Sequence, residues 1–258
     1  MKGLTSSVDK TFAILEYFTV ENPEWRVTEL AQVLGTSKST VYRFLSDMEK
    51  RGVMHQNIEN GKYSLGLKLF ELGNRVRIQS AFVDKTHPEL IEVSKDITET
   101  VHIAILRNNR TYYIDKVESP RGLRINTTIG TFNPAYASSL GKVLLAFTYQ
   151  DLDVLFSTEN FNHKLESFTV NTITDPKKLI EELNTVRRQG YAVDNEEIEI
   201  GLICVAVPVF NQNNEIVASI NAAGPANRFK EEELGNYVKI LQSGAEAIKK
   251  RIGTFNFC

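Results

Sequence analysis

The chain has 258 residues, of which 42% are hydrophobic, and its formal net charge is −2. This length suits one large domain or two smaller ones, and we expect two. Apolar runs stay well short of the roughly 20 residues that a membrane-spanning helix needs, and the first ten residues lack the apolar core of a secretory signal. We therefore expect a cytoplasmic protein without a membrane partner.

The cysteines and histidines indicate neither a disulfide scaffold nor a metal site. Cys204 and Cys258 are far apart in the sequence and stand outside any metal-type or redox-type pair. The four histidines are scattered without ligand spacing: His55, His87, His102 and His163. We therefore expect no metal and no cofactor.

The first predicted helix lies within residues 8–20. Val8, Phe12 and Leu15 recur at three-to-four spacing, followed by Phe18 or Thr19, which is typical of a helix that buries one face. Asn22-Pro23 ends it. A second, short helix follows in VTELAQVLG, with an apolar stripe through Val27, Leu30, Ala31 and Leu34.

A third helix is predicted in GTSKSTVYRFLSDMEKRG, residues 35–52, after a turn at Gly35. Thr36 or Ser37 is placed to cap it. Its inward stripe consists of Val41, Phe44 or Leu45, and Met48. The polar side chains of its first turn and of the following exposed face remain outside this stripe.

Two short extended runs around Asn60-Gly61 then predict a β-hairpin. Three compact helices followed by a hairpin are typical of a winged helix-turn-helix. A recognition helix in the major groove needs donors and acceptors in its first turn, which explains the polar start of the third helix. Residues 1–80 carry a net charge of +2 and the rest −4, a contrast too modest to indicate DNA binding by itself.

On this interpretation, hydroxyls and Lys38 contact phosphates, Arg43 reads a guanine, Tyr42 packs on sugar or a thymine methyl, and Lys62 on the hairpin reaches the backbone. The predicted DNA-binding residues are Thr28, Ser37, Lys38, Ser39, Thr40, Tyr42, Arg43 and Lys62. The pattern also allows a protein-interaction module, in which the polar helix start is only a cap that faces water.

The second half of the sequence predicts an α+β domain. Residues 101–106 and 111–117 form one strand pair, and LICVAVPVF and EIVASINAA form another around NQNN. Asp175, Pro176 and Gly190 mark the cap, the first residue and the end of a helix. Residues 228–252 form a closing helix with one apolar face. We expect antiparallel strands with helices at their margins.

Ordered motifs along the chain resemble the IclR family of bacterial transcriptional regulators. They include TELAQVLGTSKSTVYRFLSDMEKRGVM, GKYSLGLKLFELG, SSLGKVLLAF, VRRQGYAVDNEE and GLICVAVPVF. The resemblance covers nearly the whole chain. It implies a winged helix-turn-helix (residues 1–65), a linker helix (66–80) and a regulatory domain (81–258) with a GAF-like antiparallel sheet that binds a small molecule.

The resemblance also implies an effector site at Ser139, Leu140, Asp194, Cys204, Asn221 and Ala223. A helix starting near Ser138 would offer free amides to an anion, so an organic acid is the expected effector. Each position has a plainer interpretation as well: Cys204 as core packing, Asp194 as part of a turn, Ser139 as a first-turn residue. Asn221 and Ala223 stand where relatives carry small hydroxyl residues, which indicates a different effector.

We expect a homodimer, or a tetramer built from dimers, on a palindromic operator of double-stranded DNA. The resemblance favours a repressor of a catabolic operon, released by the acid, over an activator. The rival class is an enzyme with Cys204 as nucleophile and His102 or His163 as base, but nothing in the sequence near the thiol activates it. We therefore expect no catalysis.

Overall fold

The computed structural model describes residues 6–73, 77–122, 125, 127–157 and 165–257, with only the backbone described for 77–80 and Glu231. His163 and Cys258 lie outside the described residues. The chain folds into two compact units, Met1–Arg77 and Ile78–Cys258. Among the described residues, the first unit has one hydrophobic core and the second unit has two.

The first unit confirms the winged helix-turn-helix. Its elements are α1 (Ser7–Leu15), α2 (Val27–Val33), α3 (Lys38–Glu49), β1 (Met54–Gln56), β2 (Tyr63–Leu65) and α4 (Leu67–Gly73). Val41, Leu45 and Met48 on α3 are buried against Leu30 and Ala31 of α2 in one core. The predicted inward stripe of α3 is therefore confirmed, with Leu45 in the place that Phe44 could also have taken.

The predicted buried face of the first helix is wrong for Val8 and Phe12, which are 63% and 60% exposed, whereas Ile14 is buried. Leu15 packs against the core and Phe18 is buried, as predicted. Two apolar stripes on this segment fit helical spacing, and periodicity does not decide which of them faces the core.

The hairpin has a longer turn than the sequence predicts. The Asn57 amide donates to the Lys62 carbonyl at 2.8 Å, so residues 58–61 form the loop, in place of the two residues Asn60-Gly61. Asn57 Oδ1 accepts the Glu59 amide, and Gly61 takes the left-handed backbone, φ +70°. The side-chain acceptor of Asn57 stabilises this wider turn.

The segment predicted as a linker helix, residues 66–80, falls on two helices. The first is α4, and the second is α5 (Arg77–Ile97), which continues far beyond residue 80. Residues 74–76 lie outside the described part of the chain.

The second unit is built on a six-stranded antiparallel sheet. Its further elements are β3 (Thr100–Arg107), β4 (Arg110–Val117), β5 (Phe132–Pro134), α6 (Ser139–Thr148), α7 (Val154–Ser157), α8 (Pro176–Gln189), β6 (Ala192–Asn195), β7 (Leu202–Phe210), β8 (Ile216–Pro225) and α9 (Glu231–Ile252). The strand order is β5-β4-β3-β8-β7-β6. The α+β class and both predicted strand pairs are confirmed.

Helices cover both faces of the sheet, rather than only its margins as expected. Val205 and Val207 belong to the core that contains Leu90 of α5 and Leu241 of α9, whereas Ala206 belongs to the opposite core, which contains α6 and α8. Successive strand residues point to opposite faces, so a strand between two helical layers is buried along almost its whole length.

The predicted helix after Asp175 is confirmed in detail. Asp175 accepts the amides of Lys177 and Lys178, Pro176 is the first residue, and Gly190 closes the helix in the left-handed conformation, φ +79°. Proline fits the first position because its missing N–H would have no helical partner, and glycine takes positive φ without strain.

Candidate nucleic-acid interface and ligand cavity

The first turn of α3 is a hydroxyl cluster. Ser37 is the N-cap, and its Oγ accepts the Thr40 amide at 3.2 Å. The same oxygen lies 3.0 Å from Ser39 Oγ and 2.8 Å from Thr40 Oγ1. These contacts hold the turn in one geometry and leave the Ser39 and Lys38 side chains exposed to water.

Tyr42 and Arg43 extend this surface along α3. Tyr42 is 56% exposed, and the Arg43 side chain is also exposed, with its guanidinium 5.7 Å from the centre of the Phe44 ring. A cation over a neighbouring aromatic ring is attracted weakly and stays available to another partner. Among the described residues, the guanidinium of Arg43 therefore has no hydrogen-bond or ion-pair partner, and its side chain is exposed to solvent.

The two remaining predicted DNA-binding residues lie on other elements of the same unit. Thr28 is exposed in the first turn of α2, and Lys62 is half-buried at the end of the loop between β1 and β2. Exposed hydroxyls, a lysine, an arginine and a helix N-terminus are the groups that proteins use against phosphates and base edges.

In the second unit, strand register brings residues far apart in sequence into neighbouring rows. Asp194 on β6 pairs with Cys204 on β7, which pairs with Ala223 on β8. Two residues earlier on β8, Asn221 pairs with His102 on β3. Residues directly across antiparallel strands, and residues two apart along one strand, share a face.

These two rows form one wall of a cavity of about 190 Å³, and Ser139 lies on another wall. Five of the six predicted effector residues therefore line the same cavity: Ser139, Asp194, Cys204, Asn221 and Ala223. The sixth, Leu140, is fully buried in the hydrophobic core beside α6. Its backbone amide, like that of Ser139, belongs to the first turn of α6, where amides lack helical partners.

Gly141 allows α6 to begin at this place. Ser138 caps the helix by accepting the Gly141 amide at 3.1 Å, and its Oγ lies 3.0 Å from Thr111 Oγ1. A Cβ on Gly141 would come within 2.2 Å of the Ala135 carbonyl oxygen and 2.5 Å of Thr111 Oγ1. Only glycine permits this close approach of the helix to the sheet.

Asp194 carries a carboxyl group in an unusual environment. Its pKa is raised to about 7: burial, the largest cause, and the charge of Glu197 raise it, while the Glu197 amide and the Lys142 ammonium lower it. Asp194 Oδ1 accepts the Glu197 amide at 2.8 Å. A carboxyl that titrates near neutral pH can hold a proton against a bound anion.

A buried lysine supports this wall. Lys142 on α6 is 1% exposed, forms an ion pair with the buried Glu197, and donates to the Val193 carbonyl at 3.2 Å. It also lies 3.4 Å from Glu182. Lys142 thus joins α6 to the end of β6, where Asp194 stands.

Cys204 has no nucleophilic character in this site. Burial raises the pKa of its thiol well above the ordinary value, with Asp194 adding to the effect. A protonated thiol is a poor nucleophile, so Cys204 serves as a small wall of the cavity.

Sequence reasoning did not assign several polar lining residues of the cavity to the effector site, among them His102, Tyr113 and Asn133. Asn133 Nδ2 donates to the Tyr113 hydroxyl at 3.2 Å. Strand alternation could have revealed His102, because Val101, Ile103 and Ile105 face one core and His102 lies on the other face. Asn133 lies on a three-residue strand that gave no comparable signal.

A metal site and a membrane-spanning helix are both absent from the described residues. Within them, no group of three or more His, Cys, Asp or Glu side chains is arranged to hold a metal ion. In the same part of the chain, no helix is both long enough and apolar enough to cross a bilayer.

A winged helix-turn-helix joined in one chain to a sheet domain with a polar cavity defines a ligand-responsive, DNA-binding transcriptional regulator. The chain belongs to the IclR family. The family's helix-turn-helix domain matches residues 7–57, and the domain described as "Bacterial transcriptional regulator IclR C-terminal" matches residues 78–250.

Individual relatives agree with this assignment. The HTH-type transcriptional regulator KdgR of Escherichia coli K12 is 40% identical over 98% of this chain and 94% of its own length. The transcriptional repressor IclR of the same organism is 28% identical, over 97% and 91%. An IclR homologue from Microbacterium hydrocarbonoxydans, crystallised with 4-hydroxybenzoate, shares the fold: TM-score 0.81 and 23% identity, over 96% of this chain and 99% of that one. These matches are to regulators and indicate no catalytic activity.

Proposed function

We propose that this protein represses a catabolic operon and is released from DNA when a small organic acid binds in the cavity of the second unit. The observation that carries the proposal is the cavity itself. It brings together five predicted effector residues, and Ser139 Oγ there is buried without a hydrogen-bond partner among the described residues. A buried hydroxyl without a partner is costly, and a ligand would satisfy it.

The acid group would lie at the N-terminus of α6. Amides in the first turn of a helix and the positive end of its dipole hold carboxylates without a cation. The Ser139 and Leu140 amides and Ser139 Oγ supply the donors. Asp194 faces the same space and would accept from a ligand hydroxyl or share a proton with the acid.

On the DNA side, α3 would enter the major groove. Arg43 would read a guanine and Tyr42 a thymine methyl or a sugar, while Lys38 and the hydroxyl cluster hold phosphates. Thr28 and Lys62 would contact the flanking backbone. The ligand can change DNA affinity only if it binds two arrangements of the protein unequally.

We propose a homodimer on a palindromic operator, with a tetramer as the larger alternative. Phe12 on α1 and Leu67 and Phe70 on α4 are each at least 60% exposed in the first unit. Large apolar side chains of this kind mark protein interfaces when they cluster on a surface. A two-fold dimer would place two copies of α3 about one DNA turn apart.

We propose that the protein represses transcription because a 28% identical relative is named a transcriptional repressor. Activation of transcription is the alternative. We further propose that the protein acts in the cytoplasm, without a cofactor and without catalysis. The buried, protonated Cys204 thiol argues against the alternative of a cysteine-dependent enzyme.

Two substitutions on α3 test the DNA interface. Arg43→Ala should weaken binding to the specific operator by about 1–3 kcal/mol and relax one base position, measured by fluorescence anisotropy on operator and scrambled duplexes. Lys38→Ala is the matched control: it should weaken both duplexes and reduce the salt slope by about one. Equal losses for Arg43→Ala on both duplexes would remove its base-reading role.

The cavity is tested separately. The test uses a small organic acid that shifts the thermal stability of the wild type and changes its operator binding. Asp194→Ala should abolish this effect of the acid on operator binding. Operator affinity without the acid should remain intact. An unchanged response would remove Asp194 from the proposed site. If no small organic acid stabilised the wild type in a thermal-shift screen, this result would contradict the proposed effector class.

A further inference from the structure

His102 is a buried titratable residue that the proposed binding mode has not yet used. It stands on β3, lines the cavity, and is only 2% exposed. Its Nε2 is buried and has no hydrogen-bond partner among the described residues. The edge of its ring packs against Tyr113, with 5.4 Å between the ring centres.

The hydrogen bonds to Asn221 fix which ring nitrogen of His102 carries hydrogen. The backbone amide of His102 donates to an Asn221 side-chain atom at 3.2 Å, and a backbone N–H requires an acceptor, so that atom is the amide oxygen Oδ1. His102 Nδ1 lies 3.0 Å from the same oxygen. Because Oδ1 can only accept, Nδ1 carries the hydrogen.

The ring is also neutral at physiological pH. The pKa of His102 is lowered to about 4: burial, the largest cause, and the positive charge of Lys116 lower it, while the hydrogen bond with Asn221 opposes the change. A neutral imidazole with hydrogen on Nδ1 has a bare lone pair on Nε2. His102, which lines the cavity, therefore has an unsatisfied acceptor, and no donor, at its buried Nε2.

We propose that His102 is a specificity-determining residue whose Nε2 accepts a hydrogen bond from a hydroxyl of the effector, so that the cavity takes hydroxylated organic acids in preference to their deoxy analogues. This inference rests on the proposed function of the cavity. The acid group occupies the N-terminus of α6 and the hydroxyl meets β3. Asn221 acts as a positioning residue, since it holds the His102 tautomer.

The energetic reason lies in what a deoxy ligand leaves behind. It would seal the cavity with Nε2 still unsatisfied, and a buried acceptor without a partner lowers the affinity about fivefold to a hundredfold. Sites built to bind a hydroxyl reject analogues that lack it for this reason. An acid that carries the hydroxyl incurs no such loss.

The first measurement needs no ligand. Nitrogen-15 NMR of histidine-labelled protein at pH 7, with His102→Phe to assign the resonance, should show a neutral ring with hydrogen on Nδ1 and bare Nε2. Hydrogen on Nε2, alone or together with Nδ1, would overturn the proposal.

The second measurement compares matched acids by titration calorimetry: lactate with propionate, 3-hydroxybutyrate with butyrate, and gluconate with hexanoate. At least one hydroxy acid should bind the wild type about tenfold or more tightly than its partner. In His102→Phe the preference should fall to about twofold or less, because the ring volume remains but the acceptor is gone. His55→Phe, which alters an exposed histidine in the first unit, should leave it unchanged.

The outcomes separate the two proposals. Acids that bind the wild type with equal affinity in every pair, or a hydroxyl preference that survives in His102→Phe, would overturn the role of His102 and leave the effector cavity standing. Failure of all six acids to bind would count against the proposed function and remove this inference with it.

Discussion

The hydroxyl cluster on α3 and the cavity between β6, β7, β8 and α6 differ in whether their polar groups have hydrogen-bond partners. On α3, Ser37 bonds with Ser39 and Thr40, and their neighbours Lys38 and Arg43 face water. In the cavity, His102 Nε2 and Ser139 Oγ are buried without partners among the described residues. The polar groups on α3 are satisfied by one another or by water, whereas these two cavity atoms would be satisfied only by the proposed ligand.

This difference predicts how the two regions respond to mutation. Exposed side chains that are already solvated can be removed with little loss of stability, so substitutions on α3 should act mainly on DNA binding. Buried polar groups couple binding to folding, since removing one partner leaves the other unsatisfied. Substitutions around the cavity should therefore change stability and ligand binding together.

The largest effect is expected for Lys142→Met. It leaves Glu197 buried without its counter-charge and should lower the free energy of unfolding by about 3–5 kcal/mol, measured by urea denaturation. The double variant Lys142→Met, Glu197→Leu should recover a large part of this loss, because a well-packed apolar pair can replace a buried ion pair. Equal instability of the single and double variants would contradict the role assigned to the pair.

Gly141→Ala should be next in size. The added methyl group collides with backbone atoms of Ala135, which cannot move without shifting β5, and a loss of about 1–3 kcal/mol or more follows. Gly235→Ala in α9 is the matched control, because nothing lies within 4 Å of its Cβ position, and there alanine should stabilise the helix by up to about 1 kcal/mol. Thermal unfolding of both variants checks the pair. Similar changes for the two would show that the contact at Ala135 does not restrict α6.

Much of the geometry of the proposed DNA surface could be predicted from sequence because it is local. The exposed face of α3 follows from the spacing of Val41, Leu45 and Met48, and the cap follows from a serine placed before the helix. The same reasoning failed for Val8 and Phe12, where two apolar stripes compete. Periodicity identifies a helix more reliably than it identifies the face that packs.

The cavity could not be derived from local patterns in the same way. Asp194, Cys204, Ala223 and His102 meet because of strand register, and register depends on pairings between distant segments. The resemblance to a family supplied most of these positions. It did not supply His102 or the ion pair of Lys142, whose significance appears only when burial and partners are known.

Asp194 gives a pH-dependent prediction for the cavity. Its pKa of about 7 means that it is largely protonated below neutral pH and ionised above it. In the proposed binding mode an anionic acid binds beside the protonated form, so its affinity should fall about tenfold per pH unit above about 7. The other titratable groups near this carboxyl are Glu197, Glu199, Lys142, Cys204, Tyr113 and His102.

Asp194→Asn provides the control, because an amide of the same shape does not titrate. Its affinity for the acid should be nearly constant between pH 6 and 9, and calorimetry in buffers of different ionisation enthalpy should show proton uptake only for the wild type. A wild-type affinity that is flat across this range would contradict the shared proton. The Lys142 ammonium lowers the pKa of Asp194, so Lys142→Met should move the wild-type transition to higher pH if the variant remains folded.

The smallest effects are expected for two serines at the start of α3, one of which should affect stability and the other DNA binding. Ser37→Ala removes the N-cap acceptor of the Thr40 amide and should lower the stability of the first unit by about 1 kcal/mol. Ser39→Ala removes a hydroxyl that caps no amide, so it should leave stability unchanged and weaken DNA binding alone. Thermal unfolding and duplex titration of both variants test this contrast. If Ser39→Ala also lowered stability, the hydroxyl cluster would form part of the fold in the same way as the polar groups of the cavity, and the distinction between the two regions would fail.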